Sequence, residues 1–386
     1  MIIIWYVALI VLLFFGTKVC RKKTWNEENM SFEQTKAYLG FCAVIVVFHH
    51  ISQATCASWL NPRYIRHGLD IFLTAGYPMV AMFFLCSGYG LYKSAKTKPD
   101  FFKNFIPARI IPILIPTLLT TLVYIFFMYW RHIPFTIDSP FGVNSHNTWH
   151  PYIWYVPCII LMYLLFYIGF GLIKNDLAGI LVVAGGIVGY IIFCIRLHYG
   201  TWWFNTPHMF LVGILIAKYE KTFFEKCKKL YVLRLIGTIL IFPVLWFLGD
   251  NAGGIYLTVN KLPYDFVNGY KCDLVSCIFQ VLYTLAFMSL YYLISMKLKI
   301  GNKVLGFLGK FTLELYVIHG IFIHMFGYRM INDGVKPVYY IENVSLFVMV
   351  VLILSIPTSY ALSILDKKVG KALKQNNKKE GIMKNV

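Results

Sequence analysis

The chain has 386 residues, of which 59% are hydrophobic and only 14% charged, and its mean hydropathy is +0.65. Soluble domains carry nearer ~25% charged residues, so these figures exclude an ordinary globular enzyme and indicate a polytopic membrane protein. The formal net charge of +19 would suit a nucleic-acid partner only if the basic residues shared one soluble face, and their placement is different.

In chain order, apolar segments of spanning length fall near residues 2–17, 37–55, 69–92, 105–129, 152–173, 177–195, 205–217, 231–249, 273–295, 311–326 and 343–365. The expected fold is therefore all-α, a membrane bundle of about eleven transmembrane helices. Residues 1–32 read as an anchor helix and linker, 33–365 as the membrane domain, and 366–386 as a basic tail. If Arg21-Lys22-Lys23 is cytoplasmic, the alternating loops place 28 of the 36 Lys and Arg residues inside and 8 outside. That bias orients a multi-pass protein of the plasma membrane with its N-terminus outside and its C-terminus in the cytoplasm. The positive charge then follows from topology and the lipid bilayer, with no nucleic acid needed.

The first span has no basic residues before it and no small-x-small cleavage site, so it reads as a retained anchor. The second begins on Lys36 and ends on the adjacent pair His49-His50. At ~1.5 Å per residue the fourteen-residue rise carries the imidazoles about 21 Å from Lys36, most of the way across a core of ~30 Å. Ionisable groups at that depth mark a wet cavity or a site. In the third span Ser87 and Gly88 are small residues suited to close helix packing, as are Gly185 and Gly189 in the sixth. Arg109, with Lys103 before it, sits where the fourth span enters the membrane, placed either to snorkel or to hold a phosphate.

Two polar stretches, 131–151 and 250–271, are expected as outer loops. The first carries His146 and His150 at i, i+4, but Pro140 and Pro151 favour loop over helix, so no metal site is expected. Trp149 and Trp154 offer either an interface belt or a platform for sugar rings. Near the C-terminus Glu314, Tyr316 and His319 lie within one span. Tyr316 and His319 are one turn apart and able to share a cavity with the histidines of the second span, while Glu314 reads as structural.

Together, Phe48-His49-His50, the run Phe83 to Leu91, Arg109-Ile-Ile-Pro112, Trp154-Tyr155 and Leu313 to His319 resemble the acyltransferase-3 family over residues 33–365. The resemblance implies a ten-helix bundle, here with the anchor helix added. It implies an integral membrane O-acyltransferase that moves an acetyl or similar group from cytoplasmic acyl-CoA to extracytoplasmic glycans. It places His50, or its neighbour His49, as the catalytic base or acyl relay, with Tyr316 and His319 assisting. Lys36, Lys103 and Arg109 would hold the phosphates of acetyl-CoA or another acyl-CoA, and no cofactor is permanently bound. Two family arginines are absent: the positions fall on Leu39 and Ile106. A glycan or lipid transporter and an inactive glycan-binding scaffold are the competing readings.

Overall fold

The computed structural model describes residues 2–132, 150, 152–327 and 337–383. Its helices are α1 (Ile3–Phe14), α2 (Phe32–Gln53), α3 (Gly76–Thr97), α4 (Phe105–Trp130), α5 (Tyr155–Phe166), α6 (Asp176–Arg196) and α7 (His208–Lys218), followed by α8 (Glu220–Lys228), α9 (Tyr231–Val259), α10 (Phe266–Ser295), α11 (Lys303–Leu308), α12 (Thr312–Phe326) and α13 (Val344–Met383). Helix α5 runs on into a π-helical stretch, Tyr167–Leu172. Each of the eleven expected segments coincides with a helix, and seven are long and apolar enough to cross a membrane. The protein is an all-α multi-pass membrane protein. Among the described residues the only strands are β1 (Lys18–Val19) and β2 (Leu298–Lys299), which pair antiparallel.

Helix α2 is the axis of the bundle: 78% of its spanning window is buried, against 6% for the peripheral α9. Its Gly40 lies so close to the Leu305 carbonyl and the Gly309 amide that a Cβ there would approach both within 3.0 Å. The lack of a side chain brings α11 against the start of α2, and α12 follows it into the core.

Segments assigned to the cytoplasm meet at one end of the bundle. There Lys93 pairs with Glu220 at 2.6 Å, and Lys96 and Lys218 both reach Asp176, at 2.7 and 3.7 Å. Segments assigned to the outside meet at the other end, where the Tyr6 hydroxyl donates to the Gly68 carbonyl (2.7 Å), Arg66 pairs with Glu342, and the Tyr270 hydroxyl donates to the Arg196 carbonyl (3.0 Å).

Three expectations change. The stretch 250–271 is mostly helical, because α9 continues to Val259 and α10 begins at Phe266. Gly253 packs against Cys272 and Ser276, so close pairing of the two helices carries their polar outer turns, and Asp265 caps α10 through the Asn268 amide at 2.7 Å. The span expected over 205–217 is helical only from His208. Eleven residues rise about 16 Å, roughly half the hydrocarbon core. Gly185 and Gly189 do not pack against a neighbouring helix: among the described residues no atom outside their own helical turn lies within 4 Å of a Cβ built on either. In the same helix Gly186 meets Leu165 and Gly179 meets Phe170 instead.

Gly88 does pack, against the backbone of α7: its Cβ would fall within 3.0 Å of the Phe210 carbonyl, while Gly213 approaches the Leu85 carbonyl from the other side. Backbone atoms cannot swing away as a side chain can. Gly88→Ala is therefore expected to destabilise the protein by about 1–3 kcal/mol through overpacking. Gly90→Ala, two residues on in open space, should be neutral or stabilising, since alanine is the better helix former. Detergent thermal melts of the two variants check this; equal melting temperatures would contradict it.

Candidate functional site

The two histidines that close α2 face different neighbours. His49 Nδ1 donates to the Phe72 carbonyl at 2.9 Å, and its ring lies against Gly76, where a Cβ would come within 3.0 Å of it. His50 turns into the bundle. Its Nδ1 is 2.7 Å from Nε2 of His319 on α12, with the two rings only 17° from parallel and both side chains buried.

The hydrogen bonds fix the tautomers of a neutral pair. His319 Nδ1 lies 2.9 Å from the Leu315 carbonyl, which can only accept, so the proton of His319 is on Nδ1. Its Nε2 must then accept, and His50 donates from Nδ1. That leaves the lone pair of His50 on Nε2, the nitrogen a general base uses.

Aromatic rings enclose the pair. Tyr152 lies 4.4 Å from His50 and 5.1 Å from His319, centroid to centroid. Gly320, next to His319, makes this possible, since a Cβ there would approach both the Tyr152 ring and the Tyr124 hydroxyl within 3.0 Å. Tyr316 stands 6.3 Å from His319 and 5.6 Å from Tyr155. Its hydroxyl is buried and has no hydrogen-bond partner among the described residues.

Of two further histidines, sequence reasoning weighed His150 only as half of a metal pair and set it aside as loop, and it passed over His324. His150 precedes α5, yet it is fully buried beside Tyr124, at 4.4 Å. It accepts from the Tyr152 amide at Nδ1 and donates from Nε2 to Thr120 Oγ1, both at 3.3 Å. Burial first, and His319 second, push its pKa down to about 3, so it stays neutral. His324, five residues after His319 in the same apolar helix, is also buried and faces Tyr124 and Tyr152. The depth rule that singled out His319 applies to it equally. Despite these imidazoles, the described residues contain no group of three His, Cys, Asp or Glu side chains able to hold a metal.

The expected phosphate-binding cations have separate surroundings. Lys36 lies over the Phe32 ring at 4.9 Å and within electrostatic reach of Lys310 and Lys367, neither of which the sequence singled out. Arg109 stands over the Phe101 ring at 5.2 Å, with Tyr163 within electrostatic reach and Ser87 beside that tyrosine. Lys103 is exposed in the turn before α4. Glu314 is buried in the first turn of α12, near Asp366 and Lys367 and away from the histidine pair. Trp154 packs 6.4 Å from Trp203, whereas Trp149, like His146, lies outside the described residues.

A family model described as an acyltransferase domain, that of acyltransferase-3, matches residues 40–364. The chain belongs to this family. The acyltransferase is accordingly an enzyme that transfers acyl groups, and the match takes in every helix from α2 to α13 in whole or in part while leaving out α1. It begins four residues after Lys36, so the likeness itself does not extend to that cation. No curated protein and no solved structure matches the chain.

Proposed function

We propose that this acyltransferase moves an acetyl or other short acyl group from cytoplasmic acyl-CoA to hydroxyls of an extracytoplasmic glycan at the plasma membrane, with His50 as general base. The observation that carries the reading is the buried His50–His319 pair, whose tautomers leave the lone pair on His50 Nε2. A sugar hydroxyl is a poor nucleophile near pH 7 and needs such a base. As its oxygen bonds to the thioester carbonyl carbon, its proton passes to His50 Nε2. The C–S bond then breaks and the leaving thiolate takes that proton from His50 Nε2 to become CoA-SH, so an ester and a free thiol replace an alcohol and a thioester and the base is restored. His319 orients the imidazole and accepts from its Nδ1 as Nε2 becomes charged. The buried Tyr316 hydroxyl is suited to the developing oxyanion.

The donor reaches this base from the basic end. Lys36, joined by Lys310 and Lys367, supplies ammonium groups there, and Arg109 a guanidinium, for the phosphates of CoA. The excess of Lys and Arg in these loops makes that end cytoplasmic, with the N-terminus outside.

The test uses the full-length protein in nanodiscs with radiolabelled acetyl-CoA and surface polysaccharide stripped of esters by mild alkali. Label should enter the polysaccharide as an alkali-labile ester. Lys36→Ala and Arg109→Ala should each raise the acetyl-CoA concentration for half-maximal rate about three- to tenfold, the loss of one charge-assisted contact. Absence of labelled ester with the unaltered protein would sink the proposal.

A further inference from the structure

The start of α7 is a second buried polar region, apart from the histidine pair. Between a 3-10 turn (Thr201–Trp203) and His208 the backbone is not helical, although Trp203, Asn205 and Thr206 are at most 4% exposed. Irregular backbone at membrane depth persists only where protein buries it or a cavity adjoins it. Four polar atoms lie here without a hydrogen-bond partner among the described residues: Trp203 Nε1, Asn205 Oδ1, Thr206 Oγ1 and His208 Nδ1. Leaving even one such group unpaired is costly, and four within six residues need a partner that the described residues do not supply.

Their chemistry restricts that partner. Asn205 Nδ2 is committed to Gln280 Oε1 at 3.1 Å, so Oδ1 is left to accept. The Thr284 hydroxyl donates to the carbonyls of Gln280 and Val281, so His208 Nε2–H donates to it at 3.0 Å, and His208 Nδ1 also accepts. The indole of Trp203 only donates, and Thr206 does both. A mixed set of donors and acceptors, without a charged side chain, matches neutral hydroxyls better than a phosphate or a metal ion.

Trp203 also lines a cavity of about 440 Å³ between α5 and α6, with Gly189 and the rings of Tyr190, Tyr199 and Phe193 around it. That volume is within the range of small-molecule sites, ~300–1,000 Å³. A relay of ring contacts then leads from Trp203 to Trp154 (6.4 Å), from Trp154 to Tyr155 (6.2 Å), from Tyr155 to Tyr316 (5.6 Å) and from Tyr316 to His319 (6.3 Å).

We infer that the Trp203–His208 segment and the aromatic cavity it meets through Trp203 form the acceptor subsite, binding a sugar ring face-on to the aromatics with its hydroxyls reaching inward past Trp203 to Asn205, Thr206 and His208. The inference rests on the acyl-transfer reading above. It also explains why Gly189 is a glycine in a helix it does not help to pack: a side chain there would enter the cavity.

The test follows the same labelled transfer as a function of the de-esterified polysaccharide. Thr206→Val, which keeps the shape and removes the hydroxyl, and Gly189→Leu, which fills the cavity from a position with no neighbour within 4 Å, should each raise the half-saturating polysaccharide concentration about tenfold. Half-saturation by acetyl-CoA should stay put. Thr206→Ser should restore the unaltered value, and Gly185→Leu, equally open but off the cavity, should match the unaltered protein. Polysaccharide half-saturation unchanged in both Thr206→Val and Gly189→Leu overturns the inference and leaves acyl transfer standing. So does a Thr206→Ser variant as impaired as Thr206→Val. No labelled polysaccharide with the unaltered protein overturns the transferase reading, and the subsite with it.

Discussion

His50→Ala is expected to lower acyl transfer by about 10²–10⁴-fold, the usual contribution of a positioned general base. The lone pair on Nε2 is what the reaction uses, and no ring nearby can take its place without moving. His49 is held by the Phe72 carbonyl and packed against Gly76, while His319 has its proton committed to Leu315. His49→Ala should therefore retain most of the activity. His319→Ala, which leaves the base in place but unoriented, should lower the maximal rate while leaving half-saturation by acetyl-CoA unchanged. His319→Gln, able to accept from His50 Nδ1 through its amide oxygen, should recover part of that rate. Transfer measured at matched membrane levels separates these outcomes, and a fully active His50→Ala would falsify the assignment of the base.

Gly320→Ala should come close to the same loss without touching a titratable group. The added methyl would meet the Tyr152 ring and the Tyr124 hydroxyl, which stand against the His50–His319 pair and His150. Relief requires Tyr152 or α12 to shift by about an ångström, and misplacement on that scale costs roughly 10²-fold in rate. The variant should still reach the membrane in normal amount, since one displaced ring leaves the helix contacts of α12 with α2 and α13 in place. A Gly320→Ala protein with unaltered turnover would show that Tyr152 moves aside freely and does not position the pair.

How much of this was legible in the sequence differs from residue to residue. The eleven apolar segments were, as helices, because bilayer thickness and the absence of water set their length and composition, although only seven of them are long and apolar enough to cross a membrane. The meeting of His50 with His319 was foreseeable from depth: two imidazoles buried from opposite ends of the chain have few places to hide except beside each other. His150 was not, since a histidine among prolines ahead of a helix reads as loop, and only the fold returns it under Thr120 and Tyr124. The glycines show the same limit. Gly88 and Gly189 look alike as sequence, yet one touches the backbone of α7 and the other borders a cavity, because spacing gives a helix a flat face without naming what lies against it. The convergence of Lys310 and Lys367 on Lys36 was equally hidden, as the first turns of α2, the turn before α12 and the middle of α13 bring the charges together.

The ribbon of β1 and β2 is only two residues long on each side, but it joins parts of the chain made far apart in time. Around it Asn26 donates from Nδ2 to the Ser295 carbonyl across 269 positions, the same separation as between His50 and His319. At translation rates of ~5–20 residues per second, the later partner emerges roughly 15–55 s after the earlier one. During that interval the early helices sit in the bilayer with His50 lacking its eventual partner. The clasp at the membrane surface and the histidine pair within it then close late together, as the last helices insert. A ribosome that stalls before Leu298 would therefore leave both unfinished, a species that membrane quality control can recognise by a polar ring left in hydrocarbon.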